Sequence, residues 1–236
     1  MAEAWLFLLR WFHFLAGITW IGILYYFNFV QTPFFAGAEP AVRTSMIAGG
    51  LVSRALWWFR WGAMITFLTG WLIILHRLGQ MGLVPFFASS WGWSIFIGGI
   101  LGSLMWFNVW FVIWPAQQVV MASATQVSKG GQAIPEAAAR GQRSGFTSRT
   151  NTLLSIPMLF FMGAASHFQT LFQPTGRPAK ITMLVVFAII LAILEANAMV
   201  GTTGQGKKML GSLTGTFWGG FILTAVFCIA LKLIFQ

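Results

Sequence analysis

The sequence predicts an all-α integral membrane protein, a bundle of about six transmembrane helices with both termini on the periplasmic side. Three observations predict it. Of 236 residues, 58% are hydrophobic and only 8% charged, far less charge than a water-soluble domain carries. The apolar runs are long and continuous rather than alternating, which selects helices over a barrel. The basic residues, 14 against 4 acidic ones, sit mainly in the connections between those runs, the pattern that orients a membrane protein. The same placement argues against nucleic acid as the partner of a chain with net charge +10; its partner is the lipid bilayer.

The spans are expected at residues 5–31, 56–78, 91–114, 151–172, 180–200 and 210–235. Thr32-Pro33 ends the first and Pro115 stops the third. Residues 81–90 form an apolar piece broken by Gly82 and Pro85, too short to cross and expected at the interface. The whole chain, 1–236, is expected to be one transmembrane domain, with 116–150 as its sizeable cytoplasmic loop. No basic region precedes the first apolar run, and the run is too long for a cleaved signal. Orientation follows from the basic residues of the connections. Arg43, Arg54, Lys129, Arg140, Arg143, Arg149, Lys207 and Lys208 fall on one side, and Arg77, Arg177, Lys180 and Lys232 on the other. The richer side is assigned to the cytoplasm of a bacterial inner membrane. A weak internal echo relates Gly22-Ile23-Leu24-Tyr25-Tyr26-Phe27-Asn28 to Gly102-Ser103-Leu104-Met105-Trp106-Phe107-Asn108, each followed by a proline.

The single cysteine, Cys228, excludes an internal disulfide and a cysteine-based zinc or iron–sulfur site, and the lack of aspartate excludes a Ser-His-Asp triad. Ionisable groups within apolar runs are the candidates for chemistry. Arg10, His13, Gly17 and Trp20 share one face of the first helix. His13, His76 and His167 all fall toward the outer side, where neutral imidazoles from two helices are an axial pair for haem b. His13 and His167 are the expected iron ligands, with Arg10 one turn away for a propionate. Against this stand a buried histidine bonded to a carbonyl of another helix for His13, an interfacial side chain for His76, and a snorkelling arginine for Arg10. A second polar group, Arg60, Glu195, Asn28 and Asn108, is expected nearer the cytoplasm. It either lines a cavity for a small polar or anionic molecule or ties helices together, with Arg60 the partner by depth for Glu195.

Four stretches carry a resemblance: Arg10-Trp11-Phe12-His13 through Gly22, Trp58-Phe59-Arg60-Trp61 with Thr66 and Thr69-Gly70, Asn108-Val109 through Pro115 and Gln117, and Arg149-x-Asn151 through Phe160 with Ser166-His167. They resemble the N-terminal membrane domain of the membrane-bound urate oxidases (urate hydroxylases or dehydrogenases). The resemblance implies a multi-helix membrane domain, here a short member lacking the C-terminal cytochrome c domain. Where the family carries histidines, Trp91-Gly92-Trp93 and Leu194-Glu195-Ala196-Asn197 stand here. It further implies an oxidoreductase that passes electrons from a small substrate such as urate to a separate periplasmic cytochrome c. Two alternatives stay open: a non-catalytic membrane subunit or assembly factor working with other membrane subunits, and a small-anion transporter.

Overall fold

The computed structural model describes residues 2–168, 171–174 and 176–235, and it is helical with no strand among them. The helices are α1 (Ala2–Tyr25), α2 (Thr32–Gly37), α3 (Pro40–Ala48), α4 (Leu51–Met81), α5 (Leu83–Phe87), α6 (Ser90–Phe107), α7 (Trp114–Ser128), α8 (Ala137–His167), α9 (Arg177–Met199), α10 (Gln205–Gly211) and α11 (Leu213–Ile234). Two π-helical segments interrupt the series, π1 (Tyr26–Gln31) between α1 and α2 and π2 (Asn108–Ile113) between α6 and α7. Both lie where the echoed motifs were found, and each ends two residues before a proline, Pro33 or Pro115. Proline has no N–H to donate to the carbonyl four residues back, and a wider turn accommodates the break without ending the helix.

Five helical stretches are long and apolar enough to cross a membrane: Glu3–Gly37, Leu51–Met81, Ser90–Ser128, Arg177–Met199 and Leu213–Ile234. The span expected at 151–172 falls instead within α8, which is too polar to count among them and ends at His167. The expected end of that span crosses Gln169 and Thr170, which lie outside the described residues. The polarity has a structural reason. α8 packs against α1, α6, α7, α9, α10 and α11, so its surroundings are other helices and not lipid. Two of its buried threonines bond to their own helix, Thr147 to Arg143 O at 2.9 Å and Thr152 to Ser148 O at 3.1 Å. The expected loop 116–150 is also largely helical: α7 continues to Ser128, and α8 starts at Ala137. Hydropathy falls there, but Ala, Gln and Arg keep the helix going.

Small residues set the closest approaches. Gly62 on α4 brings that helix against α1, since a Cβ there would lie 3.2 Å from both Ala16 O and Trp20 N. Gly220 on α11 does the same toward α8, where a Cβ would lie 2.8 Å from Leu153 O. Pro157 is what leaves Leu153 O without its usual helical donor. Trp20, Phe59, Trp93, Phe161 and Phe227 fill the core between the helices. The outer faces carry exposed Phe7, Phe14 and Ile18 on α1 and Ile189 and Ile193 on α9, a lipid-facing surface.

Candidate functional site

The end of the bundle that carries α3, α10 and the turn after α7 holds a cavity of about 230 Å³. Its polar lining comes from Asn28 and Gln31 on π1, Gln117 on α7, and Gln142, Ser144, Ser148 and Arg149 on α8. Phe27, Phe59 and Phe146 supply flat apolar walls, with Phe27 set edge-on to Phe59 at 5.5 Å. Two of the polar groups are fixed by neighbours. Asn28 Nδ2 donates to Leu24 O at 2.9 Å and to Ser148 Oγ at 2.8 Å. Gln117 Nε2 donates to Ser144 Oγ at 2.9 Å. Two are not: Gln31 Oε1 and Arg149 Nη1 are buried with no hydrogen-bond partner. A guanidinium donor, an amide acceptor and aromatic walls suit a planar, polar, anionic molecule of modest size.

Of the four residues expected to bind substrate, the structure places only Asn28 in this cavity. Asn108 and Glu195 meet elsewhere, where π2, α8 and α9 come together. Asn108 Nδ2 donates to Asn151 Oδ1 at 2.9 Å and to Glu195 Oε1 at 2.5 Å, and Asn151 Nδ2 donates to Met105 O at 2.9 Å. Arg60 is not the partner of Glu195; among the described residues no ion pair joins them. Its guanidinium lies over the rings of Trp114, Trp110 and Trp61, at 3.9, 4.9 and 5.7 Å from their centroids. A cation between aromatic faces is stabilised without a carboxylate, and the planar guanidinium suits the stack. Depth along the helices suggested the pair, but the rotation of α4 turns Arg60 toward π2 and α7. Gln31, Gln117, Gln142, Ser144, Ser148 and Arg149 are polar cavity residues that the sequence did not single out. Gln117 and Arg149 lie within the motifs that carry the resemblance, Gln117 just after one expected span and Arg149 just before the next, where a polar residue reads as interface.

The histidines lie apart from the cavity. His13 Nδ1 is 3.1 Å from Thr69 Oγ1 on α4. The Thr69 proton is itself donated to Ile65 O at 2.6 Å, so the hydroxyl accepts from His13 Nδ1–H. That tautomer leaves Nε2 with its lone pair free. The ring lies against the open Cα of Gly70, where a Cβ would be 3.0 Å from its Cε1. The expected structural alternative for His13, a bond to another helix, is present as this contact with the Thr69 hydroxyl of α4. Arg10 is exposed one turn outward. His76 is half-buried with Nε2 lacking a partner, and His167 is exposed at the end of α8. Among the described residues no three His, Cys, Asp or Glu side chains come together as a metal site.

The profile of a family described as urate oxidase N-terminal matches residues 80–227, more than half of the chain. The matched stretch includes Asn108, Gln117, Arg149, Asn151, His167 and Glu195; His13, Asn28 and Arg60 precede it. Comparison with curated proteins and with solved structures returned no match.

Proposed function

This chain belongs to the urate oxidase N-terminal family, and from that premise we propose that it is a membrane redox domain. It takes a small planar anion of the urate class in the cavity beside Arg149. It passes electrons toward a haem b held by His13 halfway along α1, and from there to a separate periplasmic cytochrome c. In this arrangement the chain crosses a bacterial inner membrane six times, with α8 as the sixth, central span and both termini periplasmic.

The observation that carries the proposal is the unpartnered pair in the cavity, Arg149 Nη1 and Gln31 Oε1. A buried donor and a buried acceptor left empty are costly unless a ligand or water completes them. A molecule with both ring N–H groups and carbonyl oxygens completes both. Arg149 neutralises the charge, Gln31 accepts an N–H, and Phe27 and Phe59 stack on or edge the ring faces.

The residues at His13 fit one axial ligand. A metal-ligating histidine donates its other nitrogen to a fixed acceptor, and Thr69 is that acceptor. His167 is the second ligand in the proposal, and Arg10 the partner of a propionate. Bound there, haem supplies a one-electron acceptor for the substrate's electrons. This chain's own contribution is the tautomer set by Thr69, the space left by Gly70 and the apolar surroundings of the ring.

A reduced-minus-oxidised spectrum of the purified protein tests the haem. A b-type signal lost in H13A supports it; a colourless, fully folded protein overturns it and favours a non-catalytic membrane subunit in which His13–Thr69 is only a helix tie. Urate-dependent reduction of added cytochrome c tests the substrate, and haem-replete protein that reduces none would overturn that part.

A further inference from the structure

The Asn108–Asn151–Glu195 cluster takes no part in the cavity, and its hydrogen bonding does not balance. Asn108 and Asn151 are fully buried, and Glu195 is half-buried within the bundle. Asn108 Nδ2 spends one hydrogen on Asn151 Oδ1 and the other on Glu195 Oε1. Two acceptors are left over, Asn108 Oδ1 and Glu195 Oε2, both buried and neither with a partner. Reversing the Asn108 amide does not help, because its oxygen would then face Asn151 Oδ1 and Glu195 Oε1. The cluster is short of donors in either orientation.

No cation answers the shortage. α8 carries Arg140, Arg143 and Arg149 toward the cavity end and His167 at the far end; α11 carries Lys232 and Cys228, and π2 has no titratable group. On α9 itself Arg177 and Lys180 are at the opposite end. Lys208 lies on α10, as does Lys207, which reaches α9 one turn beyond Glu195 but donates to Ala198 O at 3.0 Å. Among the described residues none of these pairs with Glu195. An ionised carboxylate here would have one amide donor to offset its lost hydration.

We propose that Glu195 is a proton-binding site of the bundle, a carboxylic acid that carries its proton at neutral pH. Protonation removes the unpaired charge and supplies the one donor the cluster lacks. The half-buried position on α9 leaves the proton exchangeable. The inference is independent of what the cavity binds and of haem.

Infrared spectroscopy of the full chain in a detergent that has no carbonyl group tests it. The sequence has four acidic side chains, and Glu3, Glu39 and Glu136 are exposed, so a carboxylic C=O band at neutral pH has a single internal source. The expected result is such a band, moved to lower frequency in heavy water, absent from E195Q and displaced but present in E195D. Helicity measured on the same samples by circular dichroism identifies a variant that has failed to fold, and the wild-type band stands as a result even then. Absence of the band in folded wild-type protein overturns the proposal. So does a band that persists in folded E195Q. A third overturning result is a sodium- or potassium-dependent gain in stability that E195Q removes, since the site would then hold a metal cation and not a proton.

Discussion

Replacing Gly70 by alanine would press directly on the His13 ring. The new Cβ would sit 3.0 Å from Cε1 and 3.4 Å from Nδ1, inside the ~3.5–4.0 Å of relaxed carbon contacts. The imidazole must withdraw by about half an ångström to relieve this contact. Its bond to Thr69 Oγ1, 3.1 Å long, would then pass the length at which a hydrogen bond still counts. Losing an interhelical hydrogen bond in a membrane costs about 0.6 kcal/mol, and overpacking a tight contact costs about 1–3 kcal/mol. Against these, alanine in place of glycine favours the helix by about 1 kcal/mol. The net is a destabilisation of about 1–2 kcal/mol. Gly163 on α8 is the control, because a Cβ there meets nothing within 4 Å; G163A keeps only the helix gain, about 1 kcal/mol. Unfolding both variants in mixed micelles of increasing denaturing detergent, followed by tryptophan fluorescence, gives the difference, expected at about 2–3 kcal/mol. G70A as stable as G163A would show that His13 does not pack as described, and the tautomer argument built on Thr69 would fall with it.

Three further outcomes follow from the same geometry. N151L removes the acceptor of one Asn108 N–H and the donor to Met105 O, so denaturation should come about 1–3 kcal/mol earlier; an unchanged midpoint would mean that the cluster does not hold π2 to α8. T69V keeps the shape of the side chain but removes the acceptor of His13 Nδ1–H, and haem-loaded protein should show an altered b-type spectrum; an identical spectrum refutes the role given to Thr69. For Lys207, burial and then the charge of Arg143 lower the pKa below the ordinary 10.5. Between the folded and unfolded values the unfolded chain binds more protons, so stability rises with pH through that window. K207M should flatten the rise, and an equal slope in both proteins would contradict it.

The apolar spans were legible because lipid demands them: α1, α4, α6, α9 and α11 are exposed on one side and must be greasy there. α8 was partly hidden for the converse reason. Surrounded by protein, it can bury Ser144, Thr147, Thr150 and Asn151, and a hydropathy reading starts the span only where leucines begin. The echo of Gly22–Asn28 in Gly102–Asn108 carried more than its residue types suggested, since both copies run into π-helical turns. Rotation about the helix axis was not legible. Arg60 and Glu195 matched in depth, but a side chain's partner depends on which way its helix faces. The stacking of Arg60 on Trp110 and Trp114 becomes visible only once α4 is packed. Arg149 was passed over because a basic residue beside a loop counts toward orientation before it counts toward binding.

The distance between the two sites constrains how they can work together. His13 and Asn28 are fifteen residues apart along α1 and π1, about 22 Å at 1.5 Å per residue. A ligand beside Asn28 and Arg149 therefore cannot touch an iron held by His13, and the two can be coupled only by electrons moving through the packed interior, where Trp20, Phe27 and Phe59 stand. It follows that the two sites separate under mutation. R149Q removes a charge that has no hydrogen bond to its own protein at Nη1, so stability and the haem spectrum should stay as in wild type. Urate binding should weaken about tenfold or more, the value of one charge-assisted hydrogen bond, with substrate-driven reduction falling in step. H13A should do the opposite, losing the spectrum while urate still binds in the cavity by calorimetry. If R149Q alters the haem spectrum, or H13A abolishes urate binding in folded protein, then the substrate and the haem share one site, and the assignment of the substrate to this cavity is wrong.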